Sequence, residues 1–260
     1  MGISYNPRIV TDGLVLALDA GNTKSYPGSG TTWTDLSGNG YHATKTGSRV
    51  SYSSAESAWE FTGTSDTDSH GIYITGLNYV TGSSDAIPNL TIESWIKCNS
   101  GTTNHTSDQR IILSFDRSAV FRFAIGSDIV SSVAGKPTFH FDTGTTYDIG
   151  ATSYSGNLRD DAWHQVCVTF DSSNVKFYVD GTLVHTSTGS YGSIGSQTEA
   201  TETPRYGWIG NGSEATTAGG GIAPGDLFYG FISKINYYYK TLSDDEIQQN
   251  FIALRGRFGI

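Results

Sequence analysis

Apolar runs of only a few residues recur along this chain, each closed by glycine, asparagine, aspartate, serine or proline. Such spacing leaves little room for long helices and favours many short strands joined by turns. The runs also alternate. In PNLTIESWIKC, Ile92, Ser94 and Ile96 share one face, while Thr91, Glu93, Trp95 and Lys97 share the other. GLVLALDA is apolar at nearly every position, which predicts a strand covered on both sides. QRIILSFD, FRFAIGS and PTFHFD follow at short intervals. WHQVCVTFDSSNVKFYVDGTLVHTS reads as a three-strand meander: His164 to Phe170, Val175 to Val179, then TLVHTS after the tight Asp180-Gly181 turn.

The rest of the composition agrees. Charged residues are 16% of 260, against about 25% in an average globular chain. Glycine numbers 32, which suits a turn-rich β protein. The net charge is -9 and no run of Lys or Arg occurs, so nucleic acid and anionic lipid are not expected partners. No window approaches the ~18 apolar residues of a membrane span. MGISYNPRIV has no apolar signal core, and Asn6 stands where a myristoylation signal needs Ser or Thr. The sequons at Asn89, Asn104 and Asn211 are therefore read as chance. Cys98 and Cys167 lie in strand-like segments and are expected to be free, buried thiols.

One helix is expected, near the end. LSDDEIQQNFIALRG offers Ser243 as N-cap with Glu246 three residues on, a capping box. Asp244 and Asp245 sit in the first turn, Ile247, Phe251 and Leu254 share a face, and Gly256 is placed to end it. The segment 187 to 226 is polar and glycine-rich, a candidate binding loop. Nothing marks a domain boundary. The chain reads as one domain over 1–260, with a core of about 13–255, an N-terminal arm of 1–12 and a C-terminal tail of 256–260.

The motif order is specific: GLVLALDAGN, WTDLSGNGYHAT, WEFTG, LTIESWIK, WHQVCVTFDSSNVKFYVDGTLV, then YGFISKINYYYKTLSDDEIQQNF. Together these resemble a laminin-G-like jelly roll of the concanavalin A-like lectin/glucanase superfamily, over about 14 to 255. The resemblance implies an all-β, two-sheet antiparallel sandwich with a short C-terminal helix, its first and last strands side by side. The end, QNFIALRGRFGI, resembles the ends of such domains in tailed-phage virion proteins, particularly of marine and cyanobacterial phages. That implies a virion location, with other virion proteins as partners.

For chemistry, a glycosidase needs two carboxylates about 5–5.5 Å apart for retention. Glu93 is the best mid-strand carboxylate, but no Glu-x-Asp-x-x-Glu run accompanies it. His42, His70, His105, His140, His164 and His185 are scattered without zinc spacing. The resemblance implies a possible calcium ion, with Asp19, Asn22, Asp35 and Asn39 in the corresponding early segment. Against it, Ser233 and Lys234 replace the family's acidic pair in the last strand, and Asp35 and Asn39 also suit turns that bond backbone amides. Sugar binding would use aromatic faces, and Tyr147, Tyr154, Tyr191, Tyr206 and Trp208 are the candidates. Trp95 and Trp163 are expected to pack, and Tyr154 and Tyr191 to be exposed. In INYYYK, Tyr237 and Tyr239 share one face and Tyr238 takes the other, for an interface or to cover the base of the helix. The apolar residues of both termini fit either a docking arm or packing back onto the sandwich.

The resulting expectation is a non-enzymatic module on a virion surface, as capsid decoration or on a tail fibre. It would hold host cell-surface glycans weakly through its loops, with a homo-oligomer as a further possibility. The alternatives are a purely structural virion component and a glycoside hydrolase.

Overall fold

The computed structural model describes residues 8–63, 70–80, 85–101, 109–116, 118–127, 130–196, 203–223 and 227–260. First come β1 (Leu14–Asp19), β2 (Thr32–Trp33), β3 (Ala43–Thr46), β4 (Val50–Ser53), β5 (Ala58–Phe61), β6 (Gly71–Val80) and β7 (Asn89–Cys98). Next are β8 (Arg110–Phe115), β9 (Phe121–Ile125), β10 (Pro137–Asp142), β11 (Thr146–Gly150), β12 (Trp163–Asp171), β13 (Asn174–Val179) and β14 (Thr182–Thr188). β15 (Pro204–Ile209), β16 (Gly212–Ser213), β17 (Ile222–Ala223), β18 (Gly230–Tyr238) and α1 (Asp244–Phe258) follow.

Sixteen of these strands form two eight-stranded antiparallel sheets, a jelly-roll sandwich, and β16 and β17 pair as a separate two-stranded ribbon. The first runs β14-β13-β12-β7-β18-β5-β4. β18 is long enough to hold two partners on one edge: Gly230 to Ile232 pair with β5, and Lys234 to Tyr238 pair with β1. The first and last strands therefore lie side by side, as expected. The second sheet runs β11-β10-β9-β8-β15-β6-β3-β2. The meander β12-β13-β14 has the expected turn, with Asp180 at φ 50° and Gly181 at φ 73°. Positive φ at both central residues matches the twist of a two-residue hairpin.

Alternation decides which side chains meet between the layers. Ile92 and Ile96 of β7 enter the main core with Val166, Val168 and Phe170 of β12. Phe121, Phe123, Phe139 and Phe141 enter it from the second sheet. Each such burial contributes roughly 1.5–3 kcal/mol. The opposite face of β7 is also covered, because α1 packs on it. Ile247 joins Val10, Cys167, Tyr178, Tyr238 and Leu242 in a second cluster. Cys98 thus belongs to the main core and Cys167 to the helix side, so both are free, as expected. Burial pushes both thiols up.

The capping box at Ser243 and Glu246 is present. Gly256 does not end the helix, however. α1 continues to Phe258, and Gly259 at φ 77° caps it. Phe258 stacks on Trp95 with ring centroids 4.1 Å apart, and Arg257 Nη1 reaches Asp19 Oδ1 at 2.7 Å. Those contacts outweigh the cost of about 1 kcal/mol for a glycine within a helix. Residues 256–258 are thus the last helical turn, not a free tail. At the other end, Val10 N donates to Asn250 Oδ1 at 2.7 Å, and Gln249 Nε2 donates to Arg8 O at 2.6 Å. The described part of both termini packs back onto the sandwich; residues 1–7 of the expected arm lie outside the described residues.

His164 clamps the meander. Its Nδ1 lies 2.7 Å from Asp180 Oδ2 and its Nε2 3.2 Å from Asp160 Oδ2. Partial burial opposes its charge, but the bonds and charges of Asp180 and Asp160 outweigh burial and raise its pKa above 6.5. A raised pKa stabilises the fold fully below the unfolded value and ceases to do so as pH rises through the folded value. The stability gap between the native chain and His164→Gln will therefore be about 0.5–1 kcal/mol near pH 6 and shrink towards pH 9. Urea melts at a series of pH values will show it, and a gap that grows with pH contradicts the assignment.

Candidate functional site

The early loop was a candidate for calcium, and its geometry answers that. Asp35 is buried, and its carboxylate accepts from Ala17 N (2.9 Å), Ser37 N (2.9 Å), Ser37 Oγ (2.7 Å) and Tyr41 N (3.1 Å). Asn39 Nδ2 donates to Val15 O at 2.9 Å, and Asn22 Oδ1 accepts from Lys24 N at 3.0 Å. Asp19 faces Lys234 Nζ at 3.4 Å as well as Arg257. Calcium needs several bare oxygens at 2.3–2.6 Å. Here the oxygens are already met by N–H, O–H and two cations, so these residues do not fit the ion. Among the described residues no group of three or more His, Cys, Asp or Glu is placed to hold a metal. Asp35 and Asn39 act as turn formers that tie the 35–41 loop to β1.

Most of the loop aromatics are packing groups. Tyr191 was expected to be exposed but is buried at 8%, edge-on to Tyr147 and Phe141. Its loop folds back because Tyr191 N donates to Ser172 O and its hydroxyl meets Ser187 Oγ. Trp208 is 1% exposed, with Nε1 donating to Gly220 O at 3.1 Å. Neither ring offers a face to a sugar. Tyr147 and Tyr154 are half-buried against the core, and Tyr206 is half-buried on β15. These five do not converge on one pocket. Trp95 and Trp163 pack as expected, Trp163 4.9 Å from Phe258 with Nε1 on Glu56 Oε2.

Glu93 is 1% exposed beneath α1, where Asn250 Nδ2 donates to its Oε2 at 2.7 Å. Burial raises its pKa against the pull of Gln165, Lys234, Asn250 and Asn236. It anchors the helix and lines no cleft. The described histidines are separate too: His140 bonds Asp148, His185 bonds Ser153 and His42 accepts from Asp35 N. Asn211 is fully buried with Nδ2 on His70 O, which leaves it no room to carry a glycan. His105 and Asn104 lie outside the described residues.

A different set of residues forms a cleft. A cavity of about 490 Å³ opens where the end of β18 and the start of β7 meet the middle of β6. Tyr41 and Tyr239 line it above Tyr79, and Asn78, Asp85 and Asn89 supply polar groups. Tyr239 is 48% exposed, whereas Tyr79 is 3% exposed. Their hydroxyls form a chain: Tyr239 Oη donates to Tyr79 Oη at 2.7 Å, which meets Tyr237 Oη at 2.6 Å. Burial pushes Tyr79 and Tyr237 well up, so the chain stays protonated. Tyr237 belongs to the core and Tyr238 to the helix side, which leaves Tyr239 as the exposed ring of the run. Gly76, at φ 84°, lies beneath Tyr41, and an added Cβ there would meet Tyr41 Cδ1 at 3.3 Å. Its lack of a side chain lets that ring lie close to β6. Asn89 Oδ1 accepts from Thr241 Oγ1 at 3.2 Å, which leaves Nδ2 as a donor. Aromatic faces with a few fixed polar groups are what sugar recognition requires. Asp85 is the one carboxylate in the described lining, and a hydrolytic pair needs two. Sequence reading passed over Tyr41, Tyr79 and Asp85; the exposed third tyrosine of INYYYK was the available signal.

Comparison with known proteins gives the fold a context. A family model described as the concanavalin A-like lectin/glucanases superfamily matches residues 66–248. No curated protein matches the sequence. Among solved structures, the binding domain of botulinum neurotoxin DC in complex with SialylT superposes with a TM-score of 0.61 at 15% identity, over 94% of this chain and 52% of that one. The binding domain of Paraclostridial Mosquitocidal Protein 1 gives 0.57 at 13%, over 93% and 52%. The Trypanosoma rangeli sialidase in complex with the inhibitor DANA gives 0.56 at 15%, over 96% and 35%. At these identities the likeness is one of fold. The chain spans about half the length of the two binding domains (52%) and about a third of the sialidase (35%).

Proposed function

We propose that this chain, which belongs to the concanavalin A-like lectin/glucanase superfamily, is a non-catalytic glycan-binding module that holds its ligand in the Tyr41–Tyr239 cleft. The observation that carries this reading is the exposed ring of Tyr239 set beside Tyr41, Asn78, Asp85 and Asn89. Apolar C–H patches of a sugar lie on the tyrosine rings, and its hydroxyls bond the amides and the carboxylate. A single carboxylate among the described lining residues suits recognition rather than the paired-carboxylate cleavage of a glycosidase. The neurotoxin binding domain in complex with SialylT supports the idea that this fold serves recognition. The proposed setting is a virion surface, supported by the likeness of QNFIALRGRFGI to the ends of phage virion domains. Many copies on one particle raise the effective concentration, so weak single-site binding becomes firm attachment.

Tyr239→Ala tests the site. Loss of an aromatic face worth about 0.5–1.5 kcal/mol beyond its buried area will weaken glycan binding about tenfold. Glycan-array screening followed by titration will measure this, with thermal melts confirming that the variant stays folded. Unchanged affinity in the variant, or release of sugar by the native chain, would overturn the reading.

A further inference from the structure

Two tyrosine hydroxyls stand among phenylalanines in the main core, behind the cleft. Tyr237 of β18 is fully buried, its ring 5.9 Å from that of Phe121 and 6.4 Å from that of Phe115. Tyr79 of β6 is 3% exposed and stands edge-on to Phe115 at 5.0 Å. Their hydroxyls meet at 2.6 Å, and because β18 and β6 belong to different sheets, this bond joins one layer to the other. Phe at both positions would fill nearly the same space. Replacing both members of a buried hydrogen-bonded pair by apolar groups of the same shape changes stability little. Stability therefore gives the pair no evident purpose. Beyond itself, the pair bonds Tyr239, whose hydroxyl donates to Tyr79 at 2.7 Å.

We infer that Tyr237, which does not line the cleft, is a positioning residue for glycan binding: through Tyr79 it holds the Tyr239 ring in the orientation that keeps its face open. This rests on the reading of the cleft as a glycan site. Tyr239 is fixed at three points. Its backbone N donates to Gly13 O at 2.9 Å, its hydroxyl is held by Tyr79, and its ring meets Tyr237 at 5.4 Å and 81°. The ring is nonetheless 48% exposed. A half-exposed tyrosine with a free tip turns about two side-chain torsions and loses that freedom when a ligand seats on it. A ring already held has less to lose, so the same contact gives tighter binding. Tyr79 can act as the holder because it is itself fixed, packed against Phe115 and bonded to Tyr237 in the facing sheet.

The test removes both buried hydroxyls, Tyr79→Phe together with Tyr237→Phe, and titrates the full chain with the oligosaccharide that the native chain binds most tightly on a glycan array. Affinity will fall by about three- to tenfold, while thermal melts show the fold retained. In a Tyr239→Phe background, which keeps the ring but has no hydroxyl to hold, the same two changes will alter affinity by less than about twofold. Tyr237→Phe alone removes a single oxygen behind the cleft and will lower affinity in the same direction by less. A second readout needs no glycan. In NMR of ¹³C-labelled tyrosine rings, the Tyr239 signal is identified by its loss in Tyr239→Phe. It will lie nearer that of free tyrosine in the double variant than in the native chain. Unchanged affinity in the double variant, an equal loss in the Tyr239→Phe background, or an unshifted Tyr239 signal overturns the positioning role and leaves the glycan-binding function standing. Binding of no glycan by the native chain overturns both, even where the Tyr239 signal shifts.

Discussion

Trp95→Ala will destabilise the chain by about 3–5 kcal/mol, the range for emptying a large aromatic site in a core. Trp95 is fully buried on the outer face of β7. Its ring lies almost parallel to Phe258 (9°, 4.1 Å) and Phe251 (9°, 5.8 Å) of α1. The indole nitrogen has no hydrogen-bond partner, so the loss comes from packing alone. The helix has few other apolar anchors, since Ile247, Asn250 and Phe251 are its buried residues. Without the indole, the last turn loses the contact that carries it past Gly256. Urea denaturation will show the loss, and hydrogen exchange will show amides of 255–260 opening before the sheets. A change below about 1 kcal/mol would mean that the helix is held elsewhere, at Asn250 and Glu93.

Asp35→Ala will cost about 2–4 kcal/mol. Four donors converge on that carboxylate, and the Ala17 amide among them is fully enclosed by protein. A buried donor left without a partner costs about 1–3 kcal/mol, more than the net gain of forming the bond. Asp35→Asn, which keeps one acceptor oxygen, will fall between. Because the Tyr41 amide is one of the four donors, the same change will loosen a wall of the cleft and weaken glycan binding. Calcium enters this prediction directly. The melting temperature of the native chain will move neither with added calcium nor with chelator, because amide and hydroxyl donors occupy the oxygens a cation would need. A calcium-dependent rise in melting temperature that Asp35→Ala removes would instead assign the loop to the ion.

The burial of Tyr191 and Trp208 shows where reading from sequence stops. Both stand among glycine, serine and asparagine, and turn chemistry predicts where a chain bends but not what then covers it. Tyr191 is enclosed because its backbone bonds Ser172 and brings the ring onto Phe141 and Phe170. Trp208 is enclosed because the 214–221 segment returns over it. The end of α1 follows the same logic. Gly256 is a fair stop signal by propensity, yet contacts to Trp95 and Asp19, far away in sequence, carry the helix onward.

Sequence alone determined the many short strands, the face each residue of β7 and β12 presents, the Asp180-Gly181 turn and the Ser243 cap, while the two-sheet sandwich was implied by the family resemblance. The strands, faces, turn and cap rest on alternation and on side-chain-to-backbone bonds spanning a few residues, and such forces act before distant segments meet. Tertiary structure alone decided the cleft. Tyr41, Tyr79, Asp85 and Tyr239 come from separate segments, joined only when β18 pairs with β7 and β3 pairs with β6. Whether a ring becomes core or platform depends on what packs over it, and only the assembled layers settle that.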